Sequence, residues 1–407
     1  MPRPDGLYIA GLVLCAGLFL SVATIGLTAP WRLVHEDTGV TATALATAHL
    51  KLGLGVTRGH DFWFDQRTGA IVPYAHHPPG SNLLLAGVFA VLGARPPAAA
   101  RGLSLVFHAL SLVLIVRYLR GSYGPAGALL GGLVVALIPM STFFGRLVAP
   151  EPFVLPAMLV FVLSYFKLAS VPDASAWVWG LVASAVWGAF MGWPMFFAML
   201  ACLGHALTHW VRTRSVRSLR LGALIATLGV LLFVVDVAHI HWAAGADGLH
   251  RLATGFAGAT TGPNRYGAWQ IALKVLGNLR RYYTDAVFVS AAVCLFVMVG
   301  SAVRRRSLRV QDHVLLVLFT MGVLNVLLFP DRARNHHYWT YYLLPFMVVA
   351  FVDTYARVRA RYTRAMTPAL VVVLLLIAIS SAQTLYLRHT RPSSYTVKTL
   401  VRLANFF

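Results

Sequence analysis

The sequence predicts an all-α protein that crosses a membrane many times, and three observations carry that reading. The chain is 58% hydrophobic, with a mean hydropathy of +0.71. Only 12% of its 407 residues are charged, against about 25% in a soluble domain. Apolar runs near the ~20 residues needed to cross a bilayer recur along its whole length.

Eleven spans are expected, near 7–29, 102–118, 124–140, 152–169, 176–192, 194–210, 219–237, 286–303, 311–329, 341–356 and 365–386. The first run is longer than a signal-peptide core and lacks a cleavage site, so it reads as a retained helix. The run NLLLAGVFAVLG (82–93) is too short to span and reads as a helix lying against the interface. TGVTATALATAHLKLG (38–53) reads as another short helix on the membrane surface.

Charge then sets the orientation. The net charge is +21, with 34 Lys and Arg against 13 Asp and Glu. Nucleic-acid binding is excluded as the explanation, because the excess falls in short loops between spans. With the N-terminus inside, the cytoplasmic loops hold 16 of the 34 basic residues in short segments, as the positive-inside rule requires. Counting 82–93 as a span would alternate the basic loops wrongly. The outer side then carries a long first loop (30–101), a second long loop (238–285) and a short tail (387–407). It also holds 9 of the 13 acids: Glu36, Asp37, Asp61, Asp65, Glu151, Asp236, Asp247, Asp285 and Asp331. Cys15, Cys202 and Cys294 all fall inside apolar runs and read as small core residues without a disulfide framework.

Four stretches on that face have the composition of a site. HEDTG (35–39) sets Glu36 beside Asp37 just after the first span, able to take a proton, hold a cation or orient a hydroxyl. The alternative is a cap for the following helix. In YAHHPPGS (74–81) the prolines end any preceding helix and lay the 82–93 helix across the surface. His76 and His77 then either line a cavity or sit in a solvated turn. In APEPF (149–153) Glu151 stands at a helix start, where a carboxylate is favoured and where a charge next to hydrocarbon is a functional candidate. In PDRARNHHYWTYYLLP (330–345) Arg332 and Arg334 run against the charge rule. Arginine pairs phosphate bidentately, and His336 and His337 add donors; the alternative is an aromatic belt with snorkelling arginines.

With these stretches in order, the sequence resembles the GT-C glycosyltransferases that use polyprenyl-phosphate sugars. The likeness is to the bacterial branch near protein O-mannosyltransferases and the lipid A aminoarabinose transferase. Glu36-Asp37 resembles that family's first-loop acidic pair. YAHHPPGSNLLLAGVFAVLG resembles its His-Pro-Pro segment and juxtamembrane helix, GRLVAPEPF its second-loop acid, and HHYWTYYLLPF its late aromatic segment. The chain departs from it at MGWPMFF (191–197), where Trp193 stands in place of a lysine that meets phosphate in many relatives. His337 stands where relatives have an acid, and the large C-terminal soluble domain of some relatives is missing.

The resemblance implies a GT-C-like transmembrane domain over 1–386 with juxtamembrane helices in the first loop. It implies an inverting transfer from a polyprenyl-phosphate sugar in the outer leaflet of a bacterial inner membrane to a lipid, glycan or protein acceptor. Glu36 is the expected base, supported by Asp37. Glu151 would orient a hydroxyl. Arg332, Arg334, His336, His337 and Tyr338 would meet the phosphate, with His76 and His77 near the donor. A divalent cation held by His35, Glu36, Asp37 or His77 is compatible with those ligand types. Two non-enzymatic alternatives remain: a lipid-linked-sugar flippase, which would carry acids within its spans, and a scaffold subunit of the same fold.

Overall fold

The computed structural model describes residues 4–33, 35–64, 71–75, 77–171, 176–260, 267–304, 308–362 and 366–390. The first helix, α1 (Pro4–Ala23), stops short of the expected residue 29. The carbonyls of Gly26, Leu27 and Ala29 beyond it accept hydrogen bonds from Arg101 Nη1, at 3.2, 2.8 and 2.6 Å. A continuing helix would have used those carbonyls internally.

The first loop folds into α2 (Asp37–Leu52), α3 (Leu54–Thr57), a hairpin of β1 (Phe62–Phe64) with β2 (Ile71–Pro73), and α4 (Gly80–Leu92). The hairpin is antiparallel, with Trp63 opposite Val72, and is a small exception to the all-α expectation. At 13 residues, α4 is roughly 20 Å long, too short to cross ~30 Å of hydrocarbon. Its first turn packs closely on the bundle: a Cβ on Gly80 would lie 2.3 Å from the carbonyl oxygen of Phe190.

The bundle continues with α5 (Pro97–Leu137), α6 (Pro139–Thr142), a 3-10 turn (Phe144–Arg146), α7 (Pro150–Ser170), α8 (Ala176–Met191) and α9 (Pro194–Thr213). Then come α10 (Val216–Thr260), α11 (Ala268–Val303), α12 (Val310–Leu328) and α13 (Pro330–Asn335). A 3-10 segment (His337–Leu343), α14 (Leu344–Arg359) and α15 (Met366–Thr390) close the described chain. Helix α5 holds two expected spans. Gly124 breaks it at φ +72°, a conformation open to glycine, and Pro125 follows without an amide hydrogen.

Eight described helices are long and apolar enough to cross a membrane. With α5 divided at Gly124 and the 16-residue α8 and α14 included, each of the eleven expected runs overlaps a separate helix, the first only as far as Ala23. The expected outer loop 238–285 is instead largely helical. There α10 bends at Gly245 and runs to Thr260, and α11 starts at Ala268 and bends at Thr284.

Helices α7 and α14 form the centre. Val154, Leu155, Met158 and Phe161 on α7 and every residue from Leu344 to Asp353 on α14 are buried. The apolar residues Val230, Leu231 and Phe233 of α10 are exposed, as lipid-facing side chains are. Cys202 and Cys294 are buried, Cys15 is half-buried, and all three are free thiols.

Candidate active site

The four stretches meet at one cavity of about 390 Å³, within the size range of small-molecule sites. Helix α2 supplies Asp37, Thr38, Thr41 and Leu45, whose spacing sets them on one helical face. Tyr74 and His77 come from the segment before α4, and Ser81 and Asn82 from its first turn. Pro150 and Glu151 open α7, and Trp193 and Pro194 open α9. Four helix starts, those of α2, α4, α7 and α9, therefore line the space, and their positive dipole ends favour an anion there. Arg332, His336, Tyr338, Trp339 and Tyr342 close another wall, and Leu252, Phe256, Phe197 and Phe329 give an apolar side.

The acidic pair of the first loop is divided in role by the fold. Glu36 is buried and does not line the cavity. Its Oε1 meets Arg101 Nη2 at 2.6 Å, and its Oε2 accepts the amides of Arg32 and Leu33 at 2.7 and 2.8 Å. A carboxylate engaged by this many donors has little acceptor capacity left to take a proton from a substrate. The expectation of Glu36 as the base therefore conflicts with its surroundings. Asp37, the first residue of α2, lines the cavity half-buried. Burial raises its carboxyl above the usual 3.8, toward the range of a working general base.

Arg101 escaped the sequence reading. It is fully buried and joins α5 to the turn after α1 and to Glu36. Its guanidinium lies 4.2 Å from the ring centroid of Trp31. Gly39 lets α2 sit against that same Trp31, because a Cβ there would be 2.5 Å from the indole. The signal was a lone arginine opening a long apolar run on the expected outer side, where the charge rule disfavours it.

Glu151 is buried at the cavity wall, and its Oε2 has no hydrogen-bond partner among the described residues. An orphaned buried carboxylate oxygen calls for an explanation, and a donor arriving with a substrate supplies one. Behind Asn82, Asp61 is fully buried and takes Asn82 Nδ2 at 2.7 Å and His49 Nε2 at 2.9 Å. A carboxylate only accepts, so this fixes which end of the Asn82 amide faces it.

The late motif is also divided. Arg332 and Arg334 stand two residues apart on α13, roughly 200° around a helix. Arg332 lines the cavity; Arg334 does not, and its Nη1 donates to Asn335 Oδ1 at 2.9 Å. His336 lines it, while His337 turns away to Tyr282, with Nδ1 and the phenol oxygen 2.8 Å apart. Burial, then Arg332, lowers His336 to about 4, so at neutral pH it offers an N–H and no charge. Tyr338 is buried against the cavity, its hydroxyl 3.3 Å from His336 Nδ1. His76 lies outside the described residues.

The cation expected from His35, Glu36, Asp37 or His77 does not find a ready site. Among the described residues no three His, Cys, Asp or Glu side chains are grouped to hold a metal ion. Glu36 is taken by Arg101, and His35 faces His337 and Tyr338, with ring centroids 4.8 and 5.3 Å away.

The helical membrane bundle thus encloses a cavity lined by Asp37, Glu151 and Arg332. The family model described as dolichyl-phosphate-mannose-protein mannosyltransferase matches residues 76–242. No curated protein matches the chain in sequence. In fold, the chain is similar to ArnT from Cupriavidus metallidurans bound to undecaprenyl phosphate. The TM-score is 0.56 at 13% identity, over 98% of this chain and 77% of that one. It is similar also to the Archaeoglobus fulgidus oligosaccharyltransferase tethered to an acceptor peptide. There the TM-score is 0.62 at 13% identity, over 98% of this chain and 55% of that one. The same archaeal enzyme with an inhibitory peptide and dolichol-phosphate gives 0.58. The chain spans only about half the length of the oligosaccharyltransferase. The fold is that of the GT-C glycosyltransferases.

Proposed function

We propose that the chain is a membrane glycosyltransferase that moves a sugar from a polyprenyl-phosphate donor to an acceptor hydroxyl in this cavity. The observation that carries the reading is the meeting of Asp37, Glu151 and Arg332, from three distant stretches, around one space. Asp37 takes the acceptor hydroxyl proton. The acceptor oxygen attacks the anomeric carbon as the bond from that carbon to the phosphate oxygen breaks. Polyprenyl phosphate leaves with the electron pair. One displacement inverts the anomeric centre and needs no protein nucleophile.

Arg332 pairs the leaving phosphate, whose charge grows as the bond breaks, and the four helix starts add to the field. Glu151 accepts from a sugar or acceptor hydroxyl, which occupies its orphaned oxygen. The apolar side formed by Phe197, Phe256 and Phe329 receives the first isoprene units. By the charge rule the cavity opens on the outer face of the membrane, with the N-terminus in the cytoplasm; the family resemblance implies a bacterial inner membrane.

Reconstitution into proteoliposomes with a radiolabelled polyprenyl-phosphate sugar tests this. The expected result is label transferred to an acceptor with inverted anomeric configuration. Movement of intact donor between leaflets without transfer would replace the reading with a flippase.

A further inference from the structure

Two asparagines from distant parts of the chain line the cavity. Asn82 stands in the first turn of α4 and Asn325 in the last turn of α12, and both are buried. Asn82 Nδ2 donates to Asp61 Oδ2 at 2.7 Å. Asn325 Nδ2 donates to the backbone carbonyl of Trp339 at 2.8 Å. A backbone carbonyl has no proton to give, so the Asn325 amide is turned one way.

The bonds behind Asn82 turn its amide in the same sense. Thr57 Oγ1 donates to the Gly53 carbonyl at 3.2 Å, so it accepts from His49 Nδ1 at 3.0 Å. His49 Nε2 and Asp61 Oδ1, 2.9 Å apart, then share one proton. Whichever of the two holds it, Asp61 Oδ2 carries none and is an acceptor. The backbone fastens the same unit, because the Tyr74 amide donates to the Asp61 carbonyl at 2.8 Å. His49, Thr57 and Asp61 are all buried, and none of the three lines the cavity. Each asparagine therefore keeps Oδ1 for the cavity, and neither Oδ1 has a hydrogen-bond partner among the described residues.

The polar atoms around the space thus fall into two kinds. Arg332 and the His336 N–H are donors, while Asp37, the orphaned Glu151 oxygen and the two Oδ1 atoms are acceptors. A sugar phosphate needs both kinds. Its ionised phosphate oxygens only accept, whereas each sugar hydroxyl has a proton to donate. A buried acceptor left without a donor costs free energy, so a site built to take a hydroxyl rejects a ligand that lacks it.

We infer that Asn82 and Asn325 read hydroxyls of the donor sugar, with Asp61, His49 and Thr57 as positioning residues that hold the Asn82 oxygen toward the cavity. This assignment to the donor rests on the transferase reading above.

Calorimetric titration of the full chain in detergent tests it with undecaprenyl phosphate alone and with its mannose, glucose and galactose esters. The wild type should bind one of the three sugar forms at least about tenfold more tightly than the bare lipid phosphate. Asn82→Ala and Asn325→Ala should each cut that gain by at least about threefold and bind the bare lipid phosphate as wild type. Asp61→Leu frees the Asn82 amide to turn and should cut the gain as Asn82→Ala does. Asp61→Asn should keep the greater part, because its oxygen can take Asn82 Nδ2 while its amide nitrogen donates to a neutral His49.

A wild-type gain kept in both alanine variants would overturn the proposal, as would the absence of any gain with the three sugars. Equal losses for bare and glycosylated lipid in Asn82→Ala and Asp61→Leu would make the network structural and overturn it too. Failure of the wild type to bind undecaprenyl phosphate at all would overturn the transferase reading, and this inference with it.

Discussion

The two ends of α12 carry charge in opposite ways. Near its start, Asp312 and the α14 residue Asp353 are buried between Arg309 and Arg357. Arg309 Nη2 reaches both carboxylates at 2.8 Å, Arg357 Nε reaches Asp353 at 2.6 Å, and the Tyr123 hydroxyl adds a bond at 3.0 Å. Two acids meet two arginines and the charge cancels. Asn325 lies 13 residues further along α12 at the cavity, roughly 20 Å away at 1.5 Å per residue. There Asp37, Glu151 and Arg332 have no ion pair among one another or with other described residues. Paired charge joins helices; polar groups left unpaired around a space await a ligand. The same contrast separates the neighbours Glu36 and Asp37, one fastened to Arg101 and the other facing the cavity.

The largest expected effect breaks the unpaired side. Asp37→Asn should cut turnover by about two to four orders of magnitude, as loss of a positioned base does, with little change in thermal unfolding. The wild-type rate should also fall as pH drops through the Asp37 carboxyl value, because the base must be ionised. Burial raises that value, so the acid limb should lie above the 3.8 of an ordinary aspartate. A pH–kcat/KM profile checks this, and a limb centred below 3.8 would remove Asp37 from the role.

On the paired side the loss should be of stability. Arg101→Ala leaves Glu36 buried with its counter-charge removed and should cost about 3–5 kcal/mol, read from unfolding in detergent. Asp353→Ala should act similarly on the Arg309 and Arg357 end. Unchanged unfolding in both variants would mean that neither cluster holds the bundle.

Arg332→Ala should weaken donor binding by about 2–5 kcal/mol if the phosphate contact is desolvated, and Arg332→Lys by less. Arg334→Ala should change donor binding by less than about 0.5 kcal/mol, because Arg334 does not line the cavity. Direct titration of polyprenyl phosphate distinguishes the two, and equal losses would place both arginines on the ligand.

The spans were legible because hydropathy alone determines them, and Gly124-Pro125 marked the division within α5. The site was legible as four stretches because each combines acids, histidines or arginines with prolines beside an apolar run. What stayed hidden depends on direction and on distant partners. Glu36 and Asp37 look equivalent in a dipeptide until Arg101, 65 residues away, takes one of them. Arg332 and Arg334, like His336 and His337, divide by their angle around a short turn. The hairpin at Phe62–Phe64 and Ile71–Pro73 is too short to leave a clear alternation.

The most direct test compares Glu36→Gln with Asp37→Asn, measuring sugar transfer per folded molecule beside the unfolding temperature of each. Asp37→Asn should lose at least about a hundredfold in transfer and keep its unfolding temperature. Glu36→Gln should unfold at a lower temperature while its folded fraction keeps the greater part of the activity. The reverse pattern, with transfer lost in Glu36→Gln and kept in Asp37→Asn, would contradict the assignment of the free carboxylate to chemistry and the paired one to structure.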